Sequence, residues 1–133
     1  MNGELFIDRS LSPVDLAEAL RAAGLSVVTL RDHYGEAAGR KVPDDTWIRE
    51  QTALGRALLA ADYHVTLNRI EARALYESEA VIFVFPVGSL TVKEQARRVI
   101  SNWPTMLAHI AQGGPAAYVL YERVVSQVDI HFP

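Results

Sequence analysis

Apolar positions along the chain follow two alternating patterns, short unbroken runs and helically spaced sets. Leu5-Phe6-Ile7 is an unbroken apolar run that stops at Asp8. Ser12-Pro13 then supplies an N-cap and a proline at the first helical position. Leu16, Ala19, Leu20 and Ala23 recur at helical spacing until Gly24, where the helix ends. Ser26 to Leu30 is a β-branched run ending at Arg31-Asp32. His33 to Val42 holds two glycines and several charges without apolar periodicity, which predicts a surface loop. After Pro43, Asp44 or Asp45 is placed to cap a helix that carries Trp47, Ile48, Ala53 and Leu54 as far as Gly55. Ala57 to Ala61 is a third strand ending at Asp62, Leu67 to Ser78 a helix, and Ala80 to Phe85 the most hydrophobic strand. Thr91, with Glu94 three residues later, opens a long helix toward Ala111. Pro104 predicts a bend or break in it after Trp103. Gly113-Gly114-Pro115 ends it, Tyr118 to Val125 is a last strand, and the tail from Asp129 to Pro133 is expected to fray.

Nearly continuous apolar strands alternating with helices predict a three-layer α/β/α sandwich around a central, mainly parallel sheet. The 133 residues, 50% of them hydrophobic, are expected to form a single domain over residues 1–133. In such sheets ligands bind beyond the carboxyl ends of the strands, where strand order reverses. The net charge of −3 provides no global field toward nucleic acid or anionic membrane, so any contact with a polyanion must be local. With no cysteine, disulfides and thiolate metal sites are excluded. The longest apolar run, Ala80 to Gly88, falls far short of the roughly 20 residues that cross a bilayer. Glu4 and Asp8 interrupt the N-terminus without a basic leader, so the expectation is a cytoplasmic protein with no membrane contact.

Three strand runs end in aspartate, at Asp8, Asp32 and Asp62, and a further acid stands at a helix start, Asp44 or Asp45. Any one of these alone reads best as a turn former or helix cap. Together, at one edge of a parallel sheet, they would repel one another and raise each other's pKa unless a cation sat between them. Hard oxygen ligands suit Mg²⁺ or Mn²⁺, and such an ion activates water toward a phosphodiester. Asp15, Glu18, Glu77 and Glu79 read as solvated helix charges, as does the Arg97-Arg98 pair.

Phe6-Ile7-Asp8-Arg9-Ser10-Leu11, Leu20 to Leu30, Asp32-His33-Tyr34-Gly35 and Pro43-Asp44-Asp45-Thr46-Trp47-Ile48 resemble the PIN-like domains of VapC-type toxins. The likeness runs from about residue 5 through Gly88-Ser89-Leu90-Thr91 and more loosely into the long helix. It implies a metal-dependent endoribonuclease, the toxin of a toxin–antitoxin pair, acting on RNA and restrained by a cognate antitoxin protein. Matching residue by residue, Asp8 is the first metal ligand, Asp44 the second acid and Asp62 the acid after the third strand. Asp45 rivals Asp44, while Asp32 and His64 are secondary candidates. The chain departs from the pattern at Ala60, where many relatives place a Thr or Ser that positions the third-strand acid. Tyr63-His64-Val65 stands where relatives often carry basic residues, and no fourth acid stands out.

Arg9 adjoins Asp8, and Arg69 and Arg73 are four apart on one helix, a spacing suited to successive phosphates. The competing account of the latter two is salt bridging with Glu71 and Glu77. His33 and His64 lie close to acids and are candidate proton carriers, each weighed against an ordinary exposed loop histidine. Trp47 and Trp103 read as core or interface aromatics, and Trp103, Tyr118 and Leu120 as apolar contacts for a homodimer. Neither a Gly-x-Ser-x-Gly elbow nor a phosphate-binding glycine loop is present. Two alternatives stay open: a PIN-like binding module with weak or lost activity, suggested by Ala60, and a phosphoacceptor domain. The latter is disfavoured because no lysine follows Phe85 before Lys93.

Overall fold

The computed structural model describes residues 3–9, 11, 13–61 and 63–131. In chain order the elements are β1 (Leu5–Ile7), α1 (Pro13–Ala22), β2 (Val27–Thr29), α2 (Leu30–Tyr34), α3 (Glu36–Lys41), α4 (Asp44–Ala53), β3 (Ala57–Ala60), α5 (His64–Leu67), α6 (Arg69–Ser78), β4 (Val81–Val84), α7 (Val92–Gln112), β5 (Ala116–Leu120) and β6 (Val125–Val128). The strands form one sheet in the order β2-β1-β3-β4-β5-β6, parallel except for the β5–β6 pair.

Alternate residues of each inner strand point to opposite faces. Leu5, Ile7, Leu59, Val81 and Phe83 meet α1 and α7 through Leu16, Leu20, Val99 and Met106. On the other face Phe6, Leu58, Ala60, Ile82 and Val84 meet α4 and α6 through Trp47, Ile48, Ala74 and Leu75. Both faces are covered, which is why these strands carry no polar alternation. Complete burial of Phe6, Phe83 and Phe85 contributes about 1.5–3 kcal/mol each. The turn into β5 depends on Gly114, where an added Cβ would lie 2.2 Å from the Ala80 carbonyl oxygen.

Several sequence expectations are corrected. The loop foreseen over His33–Val42 is mostly two short helices, α2 and α3. The Thr29 hydroxyl accepts the Asp32 N–H at 3.1 Å and the Asp32 carboxylate accepts the Thr29 N–H at 3.0 Å, a capping box that starts α2 directly from β2. Elements of five and six residues are too short to display an apolar period. Pro104 does not break α7. Pro104 and Ile100, whose carbonyl loses its intrahelical partner there, lie on the exposed face, where water can satisfy that oxygen. The last strand is a hairpin: Tyr121 N–H donates to the Val124 carbonyl at 2.9 Å, and β6 returns antiparallel. Tyr118 and Leu120 are buried within β5, so they cannot supply the dimer contacts expected of them. Arg98 is likewise no solvated charge, being buried with Nη1 donating to the Leu120 carbonyl at 3.2 Å. Among the described residues no helix is long and apolar enough to cross a membrane.

At the amino edge of the sheet the charges are paired. Arg56 Nε, just before β3, donates to Glu4 Oε1 at 2.5 Å, and Arg56 Nη1 to Gln51 Oε1 at 2.6 Å. Ser26 Oγ donates to Glu4 Oε2 at 3.1 Å. The Arg56 hydrogen bond holds the Glu4 carboxyl below its ordinary value of 4.5, against burial, which pushes the other way. Because the folded state binds this proton less tightly than the unfolded chain, the stabilisation is complete above the unfolded value and is lost as pH falls through the folded one. Glu4→Gln is therefore expected to lower stability at pH 7 by about 1–2 kcal/mol. In denaturant titrations the gap from wild type should close as pH falls below 4.5; a gap independent of pH would contradict this pairing.

Candidate functional site

Strand order runs from β1 to β2 in one direction and from β1 through β3 and β4 in the other, so the sheet's switch point lies between β1 and β3. Asp8 stands there. Its N–H donates to the Leu59 carbonyl at 2.9 Å, extending the β1–β3 ladder by one bond. Its side chain is 8% exposed, with Oδ1 accepting the Arg9 N–H at 2.7 Å. Asp62, the partner expected at the end of β3, lies outside the described residues.

Asp44 comes to Asp8 from the opposite layer. The expected capping role is corrected: the N-cap of α4 is Pro43, and no side chain caps that helix. Asp44 Oδ1 instead accepts the Trp47 indole N–H at 2.9 Å. Trp47 is buried with its ring 5.2 Å from Phe6 of β1, so the core clamps this carboxylate to the strand that carries Asp8. Arg9 adds a second fixing point: its guanidinium donates to the Arg40 carbonyl at 3.0 Å and to the Val42 carbonyl, and Nε lies 3.8 Å from Asp44 Oδ1. Two donors are thus committed to backbone ahead of Asp44, which gives Arg9 a positioning role in the structure.

A fourth carboxyl joins this group, and sequence reasoning had taken it for a surface charge. Asn68 Oδ1 accepts the N–H groups of Ile70 at 3.1 Å and Glu71 at 3.2 Å, which starts α6 so that Glu71 falls in its first turn. Packing of α6 on α4 brings Glu71 to Asp44. Burial, then a hydrogen bond to Asp44, then the negative charges of Asp44, Asp8 and Asp45 push the Glu71 carboxyl from 4.5 up to about 8. Asp45 is thereby also within electrostatic range. The Asn68-x-x-Glu71 spacing, a helix-start signature, was the available signal.

The remaining candidates are placed differently. Asp32 is engaged by Thr29 and by Arg21, whose Nη2 lies 2.7 Å from Oδ2. Burial opposes ionisation of Asp32, but those bonds outweigh it and lower its pKa. Arg73 pairs with Glu77 at 3.4 Å, and Arg49 of α4 binds the same carboxylate at 2.9 Å, so Glu77 ties α6 to α4. Arg69 has no ion pair among the described residues and stands exposed in the turn that carries Glu71. His33 Nδ1 is 3.2 Å from Arg56 Nη1, at the amino edge and away from the acids. His64 begins α5, exposed, with its ring stacked on Tyr63 at 5.3 Å. Among the described residues no group of three or more histidine, aspartate or glutamate side chains is placed to hold a metal ion.

The family described as "PIN like domain" matches residues 3–87, from ahead of β1 to beyond β4. The chain belongs to the PIN-like domain family. Asp8, Asp44, Asp45, Asp62 and Glu71 all fall within the matched PIN-like segment, whereas α7, β5 and β6 follow it. Over 124 residues, 93% of this chain and 90% of the relative, the PIN-like chain is 28% identical to a protein of Mycobacterium tuberculosis (strain ATCC 25618 / H37Rv) named "Putative ribonuclease VapC45". No solved structure gives a significant match.

The raised Glu71 carboxyl has a measurable consequence for the PIN-like fold. Below 4.5 the acid is neutral folded or unfolded. Between 4.5 and about 8 the folded state must hold a proton that the unfolded chain gives up, so Glu71 costs stability increasingly as pH rises. In chelator, Glu71→Gln is expected to raise stability at pH 8 by about 1–2 kcal/mol, allowing for solvent screening of a partly exposed group. The gain should vanish at pH 4, and thermal melts across that range are the check; a loss of stability at pH 8 would contradict the crowding of these acids.

Proposed function

We propose that this PIN-like chain is a Mg²⁺- or Mn²⁺-dependent endoribonuclease and the toxin of a type II toxin–antitoxin pair, inhibited by a cognate antitoxin protein. One observation carries the reading: carboxylates from separate parts of the chain, Asp8, Asp44, Asp45 and Glu71, converge at the switch point of a parallel sheet. A site that crowds acids to this degree is suited to a cation. The name of the mycobacterial relative supports ribonuclease activity.

The donor set fits a hard divalent ion, since every candidate is a carboxylate oxygen and Mg²⁺ normally uses one or two carboxylates and keeps several waters. Asp8, Asp44 and Asp62 would hold it, with Glu71 and Asp45 adding negative charge. Bound there, the ion supplies positive charge to a phosphodiester and lowers the pKa of the attacking water. The rest falls to the chain itself. Trp47 and Arg9 hold Asp44 in place, and Glu71 retains or releases a proton beside it as the local charge changes. Arg69, exposed and without an ion pair among the described residues, is more available than Arg73 to meet an RNA phosphate, because Arg73 is committed to Glu77. Ala60, buried at the end of β3, offers no hydroxyl to position Asp62, and this favours a second reading, a PIN-like module of weak activity.

Purified protein should cleave single-stranded RNA with Mg²⁺ or Mn²⁺ and stop on addition of chelator. Asp8→Asn should reduce the rate roughly 100-fold or more, the scale of losing a charge-stabilising group. Wild-type rates in Asp8→Asn would sink the assignment. Failure to bind Mn²⁺ in a calorimetric titration would favour the weak module.

A further inference from the structure

Beyond the acid cluster, at the carboxyl ends of β4 and β5, lies a cavity of about 470 Å³, within the range of small-ligand clefts. Its wall includes Tyr63, Leu67, Pro86, Tyr121, Asp129 and His131. Tyr63 and Tyr121 are each 43% exposed, which leaves ring surface open to the cavity they line. Tyr63 already stacks on His64 with the ring planes 9° apart. The surrounding backbone is tied down: Thr66 Oγ1 donates to the Tyr63 carbonyl at 2.7 Å, and the His131 N–H to the Thr66 carbonyl at 2.9 Å. Hydrogen bonding thus fastens the C-terminal segment to α5.

We infer that this cavity is a nucleobase subsite that seats a guanine of single-stranded RNA next to the cleaved bond. The inference rests on the ribonuclease reading and extends it to base selection. Three observations support it. The first is position: with strands about 4.8 Å apart, the ends of β4 and β5 lie roughly 7–12 Å from the β1–β3 switch point, the reach of a neighbouring nucleotide. The second is the pair of exposed tyrosine rings, since unpaired bases bind proteins chiefly by stacking on aromatic faces. The third is Asp129, which lines the cavity and has no ion pair among the described residues. A carboxylate only accepts hydrogen bonds. Guanine alone among the RNA bases presents two adjacent N–H donors, N1–H and N2–H, to a carboxylate pair of oxygens; adenine, cytosine and uracil oppose at least one acceptor to it.

The test has one arm that does not need cleavage. In chelator, wild-type protein is titrated calorimetrically with 5′-GMP and with 5′-UMP. GMP is expected to bind about tenfold tighter, on the scale of one stacked and hydrogen-bonded base, and Asp129→Asn and Tyr121→Ala should each remove the difference. In the second arm, cut sites in a random single-stranded RNA pool are sequenced. Wild type should show guanine enriched at one fixed position beside the cut, and Asp129→Asn should lose that enrichment. Equal affinity for the two nucleotides, or a guanine preference unchanged in Asp129→Asn, overturns the subsite. Cleavage without any base preference overturns the subsite and leaves the ribonuclease standing. GMP discrimination lost in Asp129→Asn, in a protein that cleaves no RNA, supports the subsite and refutes the ribonuclease.

Discussion

Carboxylates crowded together in a partly buried site cannot all ionise unless positive charge is brought to them, and the carboxyl edge of this sheet is built around that constraint. Asp8, Asp44, Asp45 and Glu71 are drawn from three different elements, so no local preference placed them together. Long-range packing did. Among the described residues the guanidinium close to Asp44 is that of Arg9, at 3.8 Å, and its hydrogen bonds go to carbonyls of Arg40 and Val42. A single half-engaged cation does not neutralise four acids, and the proton held by Glu71 to about pH 8 is the compromise the protein makes on its own. A divalent cation is the other way to satisfy the same constraint, and it would turn a local instability into a binding site.

The scaffold that enforces the crowding is apolar. Trp47 has its ring against Phe6 and its indole N–H on Asp44, so one buried side chain joins the core of one face to the acid above it. If Trp47 shifted, Asp44 would move away from Glu71 and the repulsion would relax. Burial of the ring, at about 1.5–3 kcal/mol for a large apolar side chain, is of the same order as the repulsion it opposes. The Arg49–Glu77–Arg73 group does similar work on the outer side of the α4–α6 pair. It is exposed, however, and such pairs contribute little individually.

How much of this was legible in the sequence depends on the range of the interactions involved. The inner strands β1, β3 and β4 were readable because burial on both faces leaves unbroken apolar runs such as Val81-Ile82-Phe83-Val84. Asp8 was readable for the same reason, standing where such a run stops. The helices α2 and α3 were not, since they are shorter than two turns and are set by a capping box and by Gly35 at φ 85°. β6 was hidden because an edge strand with half-exposed residues carries a weak pattern. Glu71 was missed because its neighbours in sequence are Arg69 and Arg73, which made it look like one member of a charged surface. Its place beside Asp44 follows from where Asn68 starts α6 and from how α6 meets α4, neither of which a periodicity reveals.

The two edges of the sheet make the contrast that best explains the arrangement. At the amino edge, Glu4, Arg56, Gln51 and Ser26 satisfy one another, and each charge is answered at hydrogen-bond distance. At the carboxyl edge Asp8 follows β1 and is crowded by Asp44, Asp45 and Glu71 from α4 and α6. Uncompensated charge costs stability, and proteins retain such costs chiefly where function requires them. On that argument the crowded acids mark the edge where a ligand's positive charge would be accommodated, and the satisfied amino edge helps the molecule to carry their cost.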